Sequence, residues 1–191
     1  YVKFNLKPGE KLTIRTASSF IGHEQARLNF MREVAGRSLE TVSKEAEKVW
    51  NEQMGRIKVE GGTIEQQKTF YSCLYRTLLF PHELYEFDEN GEAVYYSPYD
   101  GRVHKGYMYT DNGFWDTFRA VHPLFTLIYP EVSGRIMQSI LNAYDESGFM
   151  PEWASPGHRG CMIGNNSISL LTDAWMKGIR TFDKDKALEA M

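Results

Sequence analysis

The chain has 191 residues, with 22 basic and 25 acidic side chains, a formal net charge of −3. That length bounds it to one domain, or one and part of another. With 42% hydrophobic and 25% charged residues, the composition excludes an intrinsically disordered chain, and the near-neutral balance leaves no broad basic surface for nucleic acid. No apolar run approaches the roughly 20 residues of a membrane-spanning helix. The aromatic content, 14%, is what composition leaves unexplained.

Tyr1 to Leu6 alternates apolar and polar residues, Pro8-Gly9 marks a turn, and Lys11 to Thr16 alternates again, so a β-hairpin is expected. From His23 the period becomes helical, with Ala26, Phe30 and Val34 on one face and Gly36 as a stop. Ser38 is placed to cap a second helix with an apolar stripe of Leu39, Val42, Ala46, Val49 and Trp50. Gly61-Gly62 breaks the chain. Thr63, with Gln66 three residues on, predicts a capping box for a third helix. Its apolar face is Ile64, Phe70, Tyr71, Leu74, Tyr75 and Leu78, and Pro81 ends it. Cys73 falls in this helix and is expected as a buried thiol; Cys73 and Cys161 match no metal spacing.

Leu84 to Asp111 has no helical period. Asp88-Glu89-Asn90-Gly91, Ser97-Pro98 and Asp100-Gly101 are turn signals, and Glu92 to Tyr96 and Gly106 to Tyr109 read as short strands. A tyrosine-rich excursion of this length is uncommon unless it has a task or packs on a neighbour. Helices then resume over Phe114–Tyr129, Glu131–Ser147, Asn166–Ile179 and from Asp183. Pro123 should kink or divide the first, and Pro130 opens the second at a tolerated position. The order suits a helical bundle or an α/α toroid, in which the long connections gather at one end and form a site. Tyr1 opens directly on a strand and the helix from Asp183 reaches Met191 without a C-cap, so the chain reads as a piece of a longer one.

Three clusters are candidates for chemistry. In Asp111-Asn112-Gly113-Phe114-Trp115-Asp116-Thr117-Phe118-Arg119, Asp116 either pairs with Arg119 on the helix surface or presents its carboxylate to a ligand. A Trp beside an acid suits a sugar: the ring covers the C–H face and the carboxylate accepts from hydroxyls. In Gly148-Phe149-Met150-Pro151-Glu152-Trp153, followed by Gly157-His158-Arg159-Gly160, Glu152 is either an acid with a raised pKa in an apolar setting or a surface acid in a turn. In the third, Cys161 to Ser167, Asn165 or Asn166 caps the following helix or also reaches a ligand. No phosphate-binding glycine loop, nucleophile elbow or H-E-x-x-H occurs. His82, His104, His122 and His158 have no metal-ligand spacing, and His122-Pro123 reads as a helix-interior pair.

The run Gly113-Phe114-Trp115-Asp116-Thr117-Phe118-Arg119-Ala120-Val121-His122-Pro123-Leu124, continuing to Ile128-Tyr129-Pro130-Glu131, resembles glycoside hydrolase family 92. Three further stretches are similar to its pattern in the same order. They are Ser19-Phe20-Ile21 with Gln25-Ala26-Arg27-Leu28-Asn29, Trp50-Asn51 with Phe70 to Arg76, and Met162-Ile163-Gly164 with Asp173 to Gly178. The resemblance implies a calcium-dependent, inverting exo-α-mannosidase acting on a terminal mannose of a glycan, with α-1,2 linkage the expected preference. It implies a mainly α fold at the junction of a β-sandwich and an (α/α)6 toroid. On it, residues 1–21 end the sandwich with a terminal hairpin, 22–80 are linking helices, 81–112 are the excursion, and 113–191 are the first toroid helices. Only Trp115 and Asp116 carry over as substrate-binding residues; the catalytic acid and base and the calcium ligands are expected downstream of Met191. The implied location is secreted, periplasmic or cell-surface. Two rivals stay open on the residues alone: a non-catalytic carbohydrate-binding helical domain, and another α/α-toroid glycosidase or polysaccharide lyase.

Overall fold

The computed structural model describes residues 1–191, with eight helices and seven short strands. Residues 1–21 contain the turn at Pro8-Gly9 but no strand, which corrects the expected terminal hairpin. Tyr1, Phe4, Leu12 and Ile14 all face solvent. A two-stranded ribbon needs something packed on its apolar face, and residues 22–191 supply nothing that covers these side chains.

Helices α1 (His23–Glu33), α2 (Leu39–Met54) and α3 (Ile64–Thr77) lie where the period puts them. Ser38 Oγ accepts from Thr41 N at 3.1 Å. Thr63 Oγ1 accepts from Gln66 N at 3.2 Å, and Gln66 Oε1 accepts from Thr63 N at 2.8 Å, closing the predicted capping box. The stripes are less buried than expected. Leu39, Val49 and Ile64 are exposed, Trp50 packs on Tyr75 at 4.7 Å between ring centroids, and Leu74 is the one buried residue of α3. Cys73 is exposed, not buried, because adjacent helical residues diverge by about 100° and Leu74 takes the inward position.

Polar contacts therefore dock this helical part. Glu86 Oε1 accepts from Ser19 Oγ and Phe20 N, both at 2.8 Å, and its Oε2 accepts from Asn29 Nδ2 at 2.6 Å. Gln25 Nε2 donates to the Phe87 carbonyl at 2.7 Å. Just beyond α2, Arg56 donates to the Ile128 carbonyl at 2.9 Å, pairs with Glu131 at 2.5 Å and covers the Tyr129 ring. Glu86→Ala strands three donors, so the 18–33 segment should loosen by about 1–3 kcal/mol. Hydrogen exchange should rise there and stay unchanged in the helices after 120; uniform protection would refute it.

The excursion is a set of short ladders. β1 (His82–Glu83) pairs with β5 (Tyr109–Thr110), while β2 (Glu86–Phe87), β3 (Ala93–Tyr96) and β4 (Val103–Lys105) form an antiparallel meander. The expected strand over Gly106–Tyr109 is interrupted, since Gly106 takes φ 110°. Three strands lie outside the expected β regions: β1, and the antiparallel pair β6 (Asn112–Gly113) and β7 (Trp153–Ala154).

The single helix expected over 114–129 is two, α4 (Phe114–Thr117) and α5 (Val121–Ile128). The break falls at 118–120 rather than at Pro123, which occupies the first turn of α5, where a missing N–H loses no intrahelical bond. α6 (Pro130–Ser147) opens on Pro130, as expected, and stops at Gly148, whose φ of 82° suits a helix end. Its buried face, Ile136, Met137, Ile140 and Leu141, is the centre of the core. Phe125 and Tyr129 of α5, Leu170, Leu171 and Ala174 of α7 (Ser167–Met176), and Ala187 of α8 (Lys184–Ala190) pack around it. α7 ends three residues before the expected Ile179, and Asp183 Oδ1 caps α8 by accepting from Lys186 N at 3.0 Å, as expected.

Candidate substrate-binding site

The β6–β7 ladder joins two clusters that lie some 40 residues apart in sequence. Asn112 pairs with Ala154 and Gly113 with Trp153. A Cβ on Gly113 would sit 2.6 Å from Asp116 Oδ2 and 3.4 Å from the Trp153 indole carbons Cδ2 and Cε2. Asp116 thus folds its carboxylate back over Gly113, beside the Trp153 ring, in a space only glycine leaves open.

Asp116 is exposed and has no hydrogen-bond or ion-pair partner in the protein. Arg119, three residues on, instead stacks its guanidinium 4.2 Å from the centroid of Trp115. Trp115 is half-exposed and also contacts Phe118. The structure therefore gives the two tryptophans different partners. Trp115 carries Arg119, and Trp153 flanks the free carboxylate. No spacing rule links Trp153 to Asp116; in sequence it is legible only as the neighbour of Glu152.

Beneath the carboxylate the polar side chains are committed. Asp111, at φ 60°, accepts from Ser155 Oγ at 2.6 Å and bonds His82 Nδ1 at 2.8 Å. The Ser155 hydroxyl and His82 hold the Asp111 carboxyl below the usual range. This is no nucleophilic triad, because the serine is bonded to the carboxylate and not to the imidazole. Asn112 Nδ2 lies 3.0 Å from His122 Nε2, and Thr117 Oγ1 donates to Asn112 Oδ1 at 3.0 Å. His122 is 3% exposed, and burial pushes its pKa down to about 4, against a smaller opposing effect of Asp173.

A histidine kept neutral in the folded state binds fewer protons than the unfolded chain between its ordinary 6.5 and about 4. Its contribution is full above 6.5 and is lost as pH falls towards 4, by roughly 3 kcal/mol at about 1.4 kcal/mol per pH unit. Chemical unfolding of wild type and His122→Gln from pH 7 to 4 should show the wild type losing stability more steeply. Parallel curves would count against it.

Glu152 is half-buried and lines a different cleft of about 390 Å³ with Tyr144, Phe149, His158, Arg159 and Asn165. His158 bonds Ser147 Oγ at 2.7 Å, and burial lowers its pKa. The Asn165 side chain, one residue before the N-cap, accepts from Ser167 N at 3.2 Å, while the N-cap residue Asn166 makes no side-chain cap bond. One grouping brings three metal-type donors within 4.8 Å, Asp100, His104 and Glu146. Asp100 accepts from Arg102 N and bonds His104 Nε2, both at 2.9 Å, and Glu146 accepts from Tyr95 and Ser97 hydroxyls. Calcium takes six to eight oxygen ligands. An imidazole and two carboxylates already supplied with donors do not fit it, nor does the single free carboxylate of Asp116.

Residues 25–191 match the sequence profile of the glycosyl hydrolase family 92 catalytic domain. The chain belongs to glycosyl hydrolase family 92. Among solved family 92 structures it is similar to the inverting mannosidase BT2199 of Bacteroides thetaiotaomicron, at 73% identity and a TM-score of 0.94, over 98% of this chain and 25% of that one. It is also similar to the family 92 α-mannosidase BT3965 of the same organism in complex with mannoimidazole, at 30% identity and a TM-score of 0.80, over 90% of this chain and 22% of that one. An uncharacterised secreted glycosidase of Arthroderma benhamiae is 26% identical over 187 residues, 95% of this chain and 20% of that protein. The chain thus spans a quarter or less of the length of these family 92 relatives and of the fungal glycosidase.

Proposed function

We propose that these residues are part of an exo-acting, inverting α-mannosidase that removes terminal mannose, α-1,2-linked, from glycans. The observation that carries the reading is the partnerless Asp116 carboxylate beside Trp153. Asp116 would accept from hydroxyls of the terminal mannose, while the indole of Trp153 covers a C–H face of the ring and Trp115 borders the site. Family membership and the 73% identical inverting mannosidase support the reaction class.

Inversion needs an acid on the leaving oxygen and a base activating water on the opposite face, about 6.5–9.5 Å apart. We place that pair, and the oxygen ligands of the calcium ion on which activity depends, outside residues 1–191. What this segment does is hold the sugar in one pose, which is positioning rather than proton transfer. In the same reading, residues 1–21 end a β-sandwich, 22–80 link, 81–112 form the tyrosine-rich loop and strand excursion, and 113–191 begin an (α/α)6 toroid. The enzyme acts outside the cytoplasm, in a secreted, periplasmic or cell-surface form; the secreted glycosidase relative supports this, and no helix of the chain is long and apolar enough to cross a membrane.

The test uses the full-length protein with an aryl α-mannoside and an α-1,2-linked mannobiose. The expected product is β-mannose, seen by proton NMR before mutarotation, with turnover abolished by a calcium chelator. The isolated 1–191 segment should hydrolyse neither substrate. First release of α-mannose, or sugar binding without hydrolysis, would overturn the assignment.

A further inference from the structure

α4 is a single turn of four residues, too short to be stable alone, so its direction comes from whatever pins its entry. Three consecutive residues do so. Asp111 is tied to Ser155 and His82, Asn112 to His122 and Thr117, and Gly113 to the β7 ladder. Of these ties, that of Asn112 is the one made inside the protein: Asn112 is 5% exposed and His122 3%, next to buried Phe114 and Phe125.

A buried amide and a buried imidazole at such a place are costly to desolvate. His122 Nδ1 adds to that cost, since it has no hydrogen-bond partner. An apolar pair of the same shape would serve packing as well or better. What a polar pair adds is direction. Asn112 is gripped at both ends of its amide, by Thr117 at Oδ1 and His122 at Nδ2, and Thr117 Oγ1 also reaches the Gly113 carbonyl at 3.0 Å. The grip fixes the backbone one residue before Gly113, over which the Asp116 carboxylate folds.

We propose that Asn112 and His122, with Thr117, are positioning residues of the sugar site, aiming the Asp116 carboxylate through Gly113 and the first turn of α4. The inference rests on Asp116 holding the sugar. None of the three side chains touches substrate; they act through the backbone that carries Asp116.

The experiment is a mutant cycle in the full-length enzyme with an aryl α-mannoside as substrate. His122→Phe keeps a planar ring, though a larger one, and removes the partner of Asn112, and kcat/KM per folded molecule should fall roughly tenfold to a hundredfold. His122→Gln, which returns a polar group at the Nε2 position, should restore most of the loss. In an Asp116→Ala background His122→Phe should cost nothing further, because the group it aims is gone. Thr117→Val, a nearly isosteric change at a half-buried site, gives the same cycle should His122→Phe not fold. Unchanged kinetics with only a lowered melting temperature, or losses that multiply in the double variant, would overturn the inference while leaving an impaired Asp116→Ala to uphold the sugar site. Unaltered kcat/KM in Asp116→Ala would overturn both.

Discussion

Asp116→Asn in the full-length enzyme is expected to lower kcat/KM tenfold to a hundredfold with the melting temperature nearly unchanged. Asparagine keeps the shape but turns charge-assisted hydrogen bonds to sugar hydroxyls into neutral ones, and bonds to a charged group are worth about 1.5–3 kcal/mol each. Each 1.4 kcal/mol is a factor of ten. Asp116→Ala should lose more, since water then occupies the place beside Trp153. Stability should barely respond, because Asp116 is exposed and no protein donor depends on it. Steady-state kinetics and thermal unfolding on the same two variants check this. A lowered melting temperature with unaltered kcat/KM would remove Asp116 from the site.

The largest loss of stability is expected from Leu141→Ala. Leu141 is 0% exposed on the buried face of α6, inside a cluster that takes residues from α5, α7 and α8. Truncating it removes apolar surface from burial and leaves a cavity that helices on three sides cannot collapse to fill, at about 2–5 kcal/mol. Ile64→Ala, also a truncated aliphatic on a helix, should cost almost nothing, because Ile64 is 70% exposed. Denaturant midpoints of the two variants should differ widely; similar values would mean that α6 is not the centre of the core.

Features set by neighbours in sequence were legible in it. The caps at Ser38, Thr63 with Gln66, and Asp183, and the opening of α6 on Pro130, each need only a few residues within one turn. Features that depend on a distant partner were not. The alternation in residues 1–16 is real, yet a ribbon needs something to bury against. The stripe of α2 has helical spacing, but spacing does not say whether a neighbour covers it. Pro123 reads as a breaker until the chain is seen to start a new helix two residues earlier. Asp116 could be singled out beside Trp115, whereas Trp153 comes to it through a ladder closing a loop of about 40 residues. The Asn112–His122 bond spans ten residues, and nothing in His122-Pro123 marks the histidine as more than a core residue.

That ladder is only two residue pairs long, and the chain just after it folds onto itself: Arg159 N donates to the Trp153 carbonyl at 2.9 Å, and Ala154 bridges to His158. Residues 160–165 hang beyond this knot with Cys161, Ile163 and Gly164 in solvent. Their two ends are engaged, since Gly160 and Asn165 line the cleft that holds Glu152. A change confined to 161–164 should therefore reach Trp153 only through this knot, which holds the indole in register with Gly113.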